Sequence, residues 1–408
     1  MVRYQTAFTS TDAREDTADL LQKVHDAYME GRPTPVAPRD VIRRSWDRVR
    51  VAGVDPDSPA GEDDATERRS AHDTAGTPDA RAMRAAVKML RPQLQPLLDD
   101  QETLLVVSDS RARLVDRLGE GQILHGADDL GFRPGRSWSE NAVGTNAIGT
   151  ALTTGGPVHV HAAEHYCAAQ HLWSCAASPV RDPRSGQIVG VIDLSFRSTE
   201  ASPTAVVLAS SLATQVEFAM RDAHRRSLAR LRDQMTTRPT GSRWVLVDGW
   251  GWVAQAEGLT VPERIHLPEN PREGLLVAGL GPAHLEPVAG GWLLVGERGG
   301  ADAADDDEGE SLELEVSPTR CIVTVGVSGH RWTHVLMGRR ADLVRALADH
   351  PQGMSARELA IASYGRADAE TSVRAEVHRI RREIGDLVLP RPYRLAEGVS
   401  VRRSEGPR

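Results

Sequence analysis

The sequence predicts a multidomain α+β protein with three globular parts. At 408 residues the chain is too long for one ordinary hydrophobic core, which favours two to four domains. Apolar runs of strand length alternate with helical patterns through the first two thirds of the chain, whereas the last part ends in three helical patterns and a hairpin. We therefore expect a mixed α/β domain, a small antiparallel β domain and a C-terminal helical domain.

The composition limits the class of protein. Hydrophobic residues make up 40% of the chain and charged residues 26%, as in globular proteins. There is no run of about 18 apolar residues, so no membrane span or membrane partner is predicted, and the polar start lacks the pattern of a secretion signal. Three scattered cysteines are too few for a disulfide framework. These features predict a cytoplasmic protein.

Residues 1–82 are predicted to form an N-terminal helical and linker segment. One short helix with Ile42, Trp46 and Val49 on a single face precedes a Pro- and Asp-rich stretch. Residues 61–80 have the composition of a linker.

The first large domain is predicted at 83–220. A helical stripe at 83–99 leads into an apolar strand at 104–108, and an Asp turn returns the chain as a second strand. Helical character resumes near Ala142–Leu152. Further strands are predicted at 158–161 and 188–196, with none between them.

A long helix is predicted at 203–235, and its end forms a connector at 221–242 that suits a homodimer. The segment 243–300 has the pattern of a small antiparallel, PAS-like sheet. An acidic linker at 301–311 separates it from a last domain at 312–408.

Several ordered motifs identify the first domain. They are RSWDRVRVAGVDPD (44–57), GFRPGRSWSENAVGTNAIGTAL (131–152), PVHVHAAEHYCAAQHLWSCAASPVRDP (157–183) and GQIVGVIDLSF (186–196). Over roughly residues 35–220 the chain resembles the GAF-type sensor of the acetoin-catabolism activator family. The resemblance implies a GAF fold and a small-molecule effector. Many members of that group continue into an ATPase domain that engages sigma-54 polymerase. This sequence lacks the GxxxxGK[ST] phosphate loop, so ATP-driven promoter opening is not expected.

Seven residues of these motifs are candidates for an effector pocket, because they combine aromatic faces with a few polar groups. They are Trp138, Glu140, Asn146, Glu164, His165, His171 and Trp173. A structural role is the alternative: a buried Trp can pack beside a hydrogen-bonded His. For the GTNAIGT stretch, which contains Asn146, a turn or helix cap is the favoured interpretation.

Two histidines and two cysteines lie within eleven residues and raise the alternative of a metal or redox sensor. They are His165, Cys167, His171 and Cys175. Their spacing, H-x-C-x₃-H-x₃-C, is unlike common zinc spacings. No metal or cofactor is therefore assigned, and the metal or redox alternative stays open.

The domain at 312–408 begins with alternating strands and continues with helices. Ser355 and Glu358 have the spacing of a capping box at the start of one helix. The segments HPQGMSARELA, VRAEVHRIRREIG and RPYRL resemble the OmpR-type winged helix of bacterial regulators. Residues 331–408 hold 15 Arg against 10 Asp plus Glu, although the whole chain carries a net charge of −8. A basic terminal domain on an acidic body is typical of a protein in which one module meets phosphate.

The third helix of this domain is predicted to read DNA. An apolar stripe through Val373, Val377, Ile380 and Ile384 leaves a basic face on the opposite side. The DNA-binding candidates on and beside that face are Thr371, Arg374, His378, Arg379, Arg381 and Arg382, with Arg391 and Arg394 on the hairpin. A solvated Arg-rich helix is the alternative interpretation.

Together these patterns predict a one-component regulator of transcription whose partners are promoter DNA, a small effector, a second copy of the chain and RNA polymerase. No nucleophile elbow, paired metal-ligand motif or nucleotide loop supports catalysis, so no catalytic residue is assigned. A signalling adaptor that binds only protein is a further alternative.

Overall fold

The computed structural model describes residues 14–58, 77–98, 103–200, 202, 204–235, 242–268, 271, 274–296, 311–318, 320–327, 330–390 and 392–403. The chain divides into two compact units, 1–223 and 224–408. Most of the predicted linker at 61–80 and nearly all of the acidic linker at 301–311 lie outside the described residues. Within the described ranges, no helix is long and apolar enough to cross a membrane.

Within the described residues, the first unit begins with the helices α1 (Arg14–Met29), α2 (Asp40–Ala52) and α3 (Pro78–Leu98). The predicted helix α2 is confirmed, with Ile42, Trp46 and Val49 buried. Gly53 ends it in the left-handed region with φ 76°, which glycine adopts without steric cost. The helix predicted at 83–99 begins five residues earlier, because Pro78 is well placed in the first turn, where its missing N–H is not needed.

A five-stranded antiparallel sheet forms the centre of the first unit. Its strands are β1 (Thr103–Asp109), β2 (Leu114–Leu118), β3 (Val158–His161), β4 (Trp173–Arg181) and β5 (Ile188–Arg197), in the order β2-β1-β5-β4-β3. The predicted strands are confirmed. Strand β4 was not predicted, because most of its residues are buried on both faces and so show no polar–apolar alternation.

The predicted helix at Ala142–Leu152 is two helices. Between β2 and β3 lie α4 (Gly121–Asp129), α5 (Glu140–Val143) and α6 (Ala147–Thr154). Gly144 separates α5 from α6 with φ +74°, and a Cβ there would lie 2.8 Å from Tyr166 Cβ. Asn146 then caps α6, since its Oδ1 accepts a hydrogen bond from the Gly149 N–H.

The central sheet has a covered face on each side. Leu104 and Val106 face the core under α2 and α6, whereas Leu105 and Val107 face α3 and α7 (Ala205–Asp233). The long helix predicted at 203–235 is thus confirmed as α7. The part of the chain that the structure describes also contains three-residue 3₁₀ turns at Ala162–Glu164, Ala168–Gln170, Ser198–Glu200 and Ala367–Ala369.

The second unit contains the predicted small antiparallel sheet, here called the middle sheet. It comprises β6 (Trp244–Asp248), β7 (Val253–Glu257), β8 (Leu275–Val277), β9 (Gly281–Val288) and β10 (Gly291–Gly296), in the order β7-β6-β10-β9-β8. The end of α7 packs on it through Leu231, beside Trp244 and Leu293.

The remaining strands and helices of the second unit follow the predicted order. They are β11 (Ser311–Val316), β12 (Arg320–Val327), β13 (His330–Met337), α8 (Arg339–Asp349), α9 (Ala356–Tyr364), α10 (Glu370–Ile384), β14 (Val388–Leu389), β15 (Arg394–Leu395) and β16 (Ser400–Arg403). A four-stranded sheet has the order β13-β12-β11-β16, and β14 pairs with β15 as a hairpin. The capping box of Ser355 and Glu358 is confirmed at the start of α9.

The middle sheet and the C-terminal helices share one core. Leu276 on β8 is 2% exposed and packs in the same cluster as the buried face of α10. The Asp386 N–H donates to Leu276 O at 2.9 Å, and the Ala278 N–H donates to the Asp386 carboxylate at 3.3 Å. Residues 312–408 therefore form only part of this core, and a fragment for binding studies should start at His224.

Candidate functional site

A narrow cavity lies inside the first unit, beside the centre of the sheet. Its walls are formed by Leu130, Phe132, Trp138, Asn146, Ala147, Ile148, His165, Gln170, Trp173, Cys175 and Asp193. No part of it is wide enough for a water-sized sphere. A ligand of several atoms can therefore enter only if the walls move apart.

Aromatic rings form one side of the cavity. Phe132 stacks on Trp138 with 3.7 Å between ring centroids, and the Trp173 ring lies 6.3 Å from Phe132. The backbone N–H of Trp138 donates to the backbone carbonyl of Ala112 at 2.8 Å, which fixes this segment against the turn between β1 and β2. Such rings offer a rigid apolar surface to the carbon atoms of a small molecule.

Asp193 stands in the middle of β5 and is completely buried. Its Oδ2 accepts a hydrogen bond of 2.6 Å from Ser195 Oγ, while its Oδ1 is buried without a partner. Burial raises the pKa of this carboxyl to about 7. The Ser195 hydroxyl also lies 3.2 Å from the Cys175 sulfur. This part of the wall is polar but carries no fixed full charge near neutral pH.

Gln170 and His165 supply two more polar groups. Gln170 Nε2 donates to Val143 O at 2.6 Å, and its Oε1 is buried without a partner. His165 Nδ1 lies 2.9 Å from Ala162 O. Because a carbonyl can only accept, Nδ1 carries the proton and Nε2 is an acceptor. Burial lowers the pKa of His165 to about 3, which keeps the ring neutral.

The structure brings together four of the seven predicted pocket residues: Trp138, Asn146, His165 and Trp173. Sequence reasoning missed Gln170 and Asp193. Asp193 did give a signal, because it is a lone acid within the apolar run IVGVIDLSF. Gln170 gave none, since its place depends on Val143, 27 residues away.

Glu140 and Glu164 are not among the residues that line the cavity. Glu140 binds an arginine within α2, and Glu164 binds the arginine directly before α2. Glu140 accepts from Arg48 Nε at 2.8 Å and also from Ser45 and Thr150 hydroxyls. Glu164 accepts from Arg39 Nε at 2.6 Å. These carboxylates hold α2 and the segment before it in place, which favours a scaffold role; their predicted role in a pocket stays a prediction.

His171 also lies outside the cavity wall. Its ring packs edge-on against His25 with 4.7 Å between centroids, and its Nδ1 is 3.0 Å from Gln22 Oε1. It therefore ties α1 to the segment before β4.

The four residues of the metal or redox alternative make separate contacts. Cys167 Sγ lies 3.6 Å from Asp55 O, whereas Cys175 packs beside Ser195. Burial raises the pKa of both thiols, that of Cys167 to about 11. Thiolates, which bind metals and react with oxidants, are thus disfavoured. Among the described residues, no group of three or more His, Cys, Asp or Glu side chains is placed to hold a metal ion.

Helix α10 has an apolar face and, on the opposite side, a basic face, as predicted. Val373, Val377, Ile380 and Ile384 are buried. The exposed predicted residues are Thr371, Arg374, His378, Arg379 and Arg382. Two of these arginines are paired along the helix, Arg374 with Glu370 at 2.9 Å and Arg379 with Glu376 at 2.5 Å.

Arg381, which is predicted to contribute to the DNA face, makes a contact within the fold. It is half-buried, and its Nε and one terminal nitrogen donate to Val388 O at 2.8 and 2.6 Å. The guanidinium thereby fixes the hairpin to α10. Arg391 lies outside the described residues. Arg394 pairs with Glu397 at 3.3 Å and lines a cleft of about 520 Å³ that the middle sheet completes.

Comparison with known proteins gives a family match for the first unit. Residues 17–218 match the model described as MimR, N-terminal domain. The propane 2-monooxygenase operon transcriptional activator MimR of Mycolicibacterium smegmatis is 32% identical over 223 residues, covering 53% of this chain and 36% of that protein. The acetoin dehydrogenase operon transcriptional activator AcoR of Bacillus subtilis is 32% identical over 187 residues, covering 44% and 29%.

A 47.3 kDa protein encoded in the thcA 5′ region of Rhodococcus erythropolis is also 32% identical, over 220 residues, 50% of this chain and 47% of that one. The matches thus span less than half the length of these relatives. Among solved structures, the E. coli DhaR(N)–DhaL complex aligns with a TM-score of 0.43 at 18% identity, over 64% of this chain and 100% of the other. The N-terminal half of the chain is therefore similar to the N-terminal domain of MimR and to part of AcoR, both named transcriptional activators.

Proposed function

We propose that this chain is a one-component transcription regulator that binds a small organic effector in the cavity of the first unit and promoter DNA through its C-terminal helices. The observation that carries the sensing role is the pair of buried acceptors without partners, Gln170 Oε1 and Asp193 Oδ1, in one aromatic-walled cavity. A buried acceptor without a partner costs about 1–3 kcal/mol. A ligand that donates to both oxygens offsets that cost.

The effector is a small uncharged molecule with hydroxyl groups or similar donors. One hydroxyl would donate to Gln170 Oε1. Another would donate to Asp193 Oδ1 when this carboxyl is ionised, or accept from it when it is protonated, and the carbon atoms would pack against Trp138 and Phe132. A charged molecule would have to leave water for a cavity without a fixed full charge, which is costly. Relatives named for acetoin, glycerol and dihydroxyacetone operons fit this class of compound.

DNA binding is assigned to the winged-helix arrangement of α8, α9, α10 and the β14–β15 hairpin. The exposed basic face of α10 would enter the major groove, where arginines can read guanine edges or phosphates. The predicted PAS likeness of the middle sheet stays a prediction. RNA polymerase is a further partner in this proposal, and the cytoplasm is its location.

Helix α7 supports a homodimer in the same proposal. Val207 is 47% exposed and Phe218 is 58% exposed. Eleven residues correspond to three helical turns, so both side chains project from the same side of α7. Light scattering should give twice the 44.3 kDa chain mass, and Phe218→Glu should lower that mass. A monomer at micromolar concentration would remove the dimer from the proposal.

The effector site is tested with the full chain and a panel of short diols, hydroxyketones, carboxylates and amines. Calorimetry should detect binding of an uncharged hydroxylated compound, and Asp193→Leu or Gln170→Leu should weaken it at least tenfold. Trp138→Ala and His165→Ala should abolish the effect of the compound on DNA binding while DNA affinity stays. His171→Ala is the matched control, because His171 lies outside the cavity wall. Normal responses of both the Trp138 and His165 variants would contradict the assignment.

Two other functions are distinguished by direct measurements. A redox or metal-responsive regulator would contain stoichiometric metal or would change its DNA affinity on oxidation of Cys167 or Cys175. A protein-binding adaptor would show no mobility shift with DNA at low salt. The raised thiol pKa values favour the organic effector over the first of these.

A further inference from the structure

A segment of the middle sheet lies against the basic helix α10. It follows β7 and carries Arg264 and His266. The His266 ring is 5.3 Å from the His378 ring, with 74° between the ring planes. His378 is exposed near the centre of the basic face of α10. The middle sheet therefore reaches the surface that the proposed function assigns to DNA.

This contact is held by packing and backbone bonds behind it. Leu276 of β8 is buried in the core of the C-terminal helices, and the Asp386 N–H bonds to its carbonyl. Gly385 permits the approach, since a Cβ at this position would lie 2.6 Å from Leu276 O. Its φ of +89° also favours glycine. The middle sheet and the end of α10 are thus in close contact, with no room for a side chain at position 385.

Arg264 is positioned by the turn between β6 and β7. Its Nε donates to Trp250 O at 3.0 Å, and its guanidinium lies 5.8 Å from the centre of the Trp252 ring. The backbone bridge between Trp252 and Arg264 fixes the same segment. An arginine side chain that is already fixed in position loses less conformational entropy on binding a phosphate than a mobile side chain does.

The groups around His266 share one sign of charge. Burial, together with the nearby positive groups of His378, Arg381, Arg264 and Arg382, lowers the pKa of His266 to about 4. His266 Nε2 is itself buried without a hydrogen-bond partner. Basic side chains from two parts of the chain thus lie close together. Their mutual repulsion costs electrostatic free energy, and a bound polyanion would replace this repulsion by attraction.

We propose that the middle sheet is part of the DNA-binding surface, with Arg264 adding a phosphate contact beside those of His378 and Arg382 on α10. The inference rests on the proposed DNA-binding function and extends it to a domain that sequence patterns did not connect with DNA. Duplex DNA carries one charge per 1.7 Å of its axis, so a surface wider than one helix meets further phosphates.

The test compares the full chain with Arg264→Ala, Arg264→Lys, Arg382→Ala and Arg402→Ala. Arg402 pairs with Glu313 on the four-stranded sheet, so Arg402→Ala is a control for the loss of one positive charge. The probe is a fluorescent duplex of about 30 base pairs with random sequence, titrated at several salt concentrations. Circular dichroism confirms that each variant is folded.

We expect Arg264→Ala to weaken binding several-fold at low salt and to reduce the slope of log K against log salt by about 0.9, the value for one phosphate contact. Arg264→Lys should restore most of the slope, because a lysine keeps the charge. Arg402→Ala should match the parent in both measurements.

Other results overturn the inference in distinguishable ways. If Arg382→Ala weakens binding but Arg264→Ala does not, the middle sheet makes no contact and the proposed function stands. If Arg264→Ala binds more tightly, the segment covers the basic face instead of extending it. If the parent chain shows no DNA binding at low salt, the proposed function and this inference both fail.

Discussion

The two units of the chain differ in where they keep their polar groups. Across the described residues, all the buried polar or charged side chains but one belong to the first unit, and the exception is Ser363. The second unit has an apolar core and places its arginines outside, as on α10. Burying polar groups costs free energy unless each finds a partner. In the first unit most of these groups are paired, but Gln170 Oε1 and Asp193 Oδ1 in the cavity wall have no partner, which fits the proposed effector site. The second unit presents charge outward, which fits the proposed binding of DNA.

The strongest test of this difference places a charge in the apolar core of the second unit. Val377→Asp puts a carboxylate on the buried stripe of α10, where Val377 is 3% exposed. We expect a loss of about 4 kcal/mol or more in unfolding free energy, because nothing there pairs with the charge. Ala375→Asp, on the exposed side, should change stability by less than about 0.5 kcal/mol. Hydrogen exchange of the α10 amides measures both, and equal protection in the two variants would contradict the assignment of faces.

The first unit should instead show a pH dependence that comes from its buried carboxyl. Asp193 has a pKa of about 7 in the folded protein, above the ordinary value near 3.9 for an unfolded chain. Between about pH 4 and pH 7 the folded state keeps a proton that the unfolded state releases, so stability falls as pH rises through this window. The contribution lost is on the order of 4 kcal/mol.

Asp193→Asn removes this contribution, and its unfolding free energy relative to the parent should rise as pH increases from about 4 to 8. Hydrogen exchange of the β5 amides reports on the first unit alone. Asp40→Asn, at an exposed site on α2, should not change the slope in the same direction. His165 and His171 have lowered pKa values and act oppositely, so the comparison with the parent is needed. A pH profile unchanged by Asp193→Asn would show that this carboxyl ionises freely in the fold.

The third test separates scaffold from pocket within the first unit. Glu140→Gln removes the charge that binds Arg48 while leaving the cavity wall intact. We expect a loss of about 3 kcal/mol in stability, since a largely buried ion pair loses one partner. Effector affinity, measured by calorimetry below the unfolding temperature, should stay within about twofold. A variant that is stable but does not bind effector would return Glu140 to the pocket.

The sequence predicted most of the framework because periodicity is a local property. The stripes of α2, α7 and α10 and the apolar runs of β1 and β5 were sufficient to place those elements. Patterns failed where tertiary packing decides. Strand β4 is buried on both faces, and the helix predicted over 142–152 is interrupted at Gly144, which has a positive φ and lies close to Tyr166. Gln170 and Asp193, two of the polar residues in the cavity wall, were not predicted either.

Long-range contacts explain the remaining differences. Whether a glutamate lines a pocket or anchors a helix depends on Arg39 and Arg48, far away in the chain. The link between Leu276 and Gly385 spans more than a hundred residues, and no composition or spacing indicates it.

The smallest expected effects concern the outer face of α10. Arg379→Ala and Arg382→Ala remove charge without touching the buried stripe, so folding should survive and circular dichroism should be unchanged. Arg379 is already paired with Glu376, which offsets part of its attraction to DNA. We therefore expect a loss of about 1–2 kcal/mol in binding free energy for each variant, at the lower end of the range for base-reading arginines.

The sequence dependence of that loss tells which role each arginine has. An arginine bidentate to guanine should relax the preference at one base position of a selected operator. An arginine on phosphate should weaken binding equally on all sequences and reduce the salt slope by about 0.9. Parent-like binding by both variants would mean that α10 does not face DNA. The outward charge of the second unit would then have no part in DNA binding, and the polar interior of the first unit would be unaffected by that result.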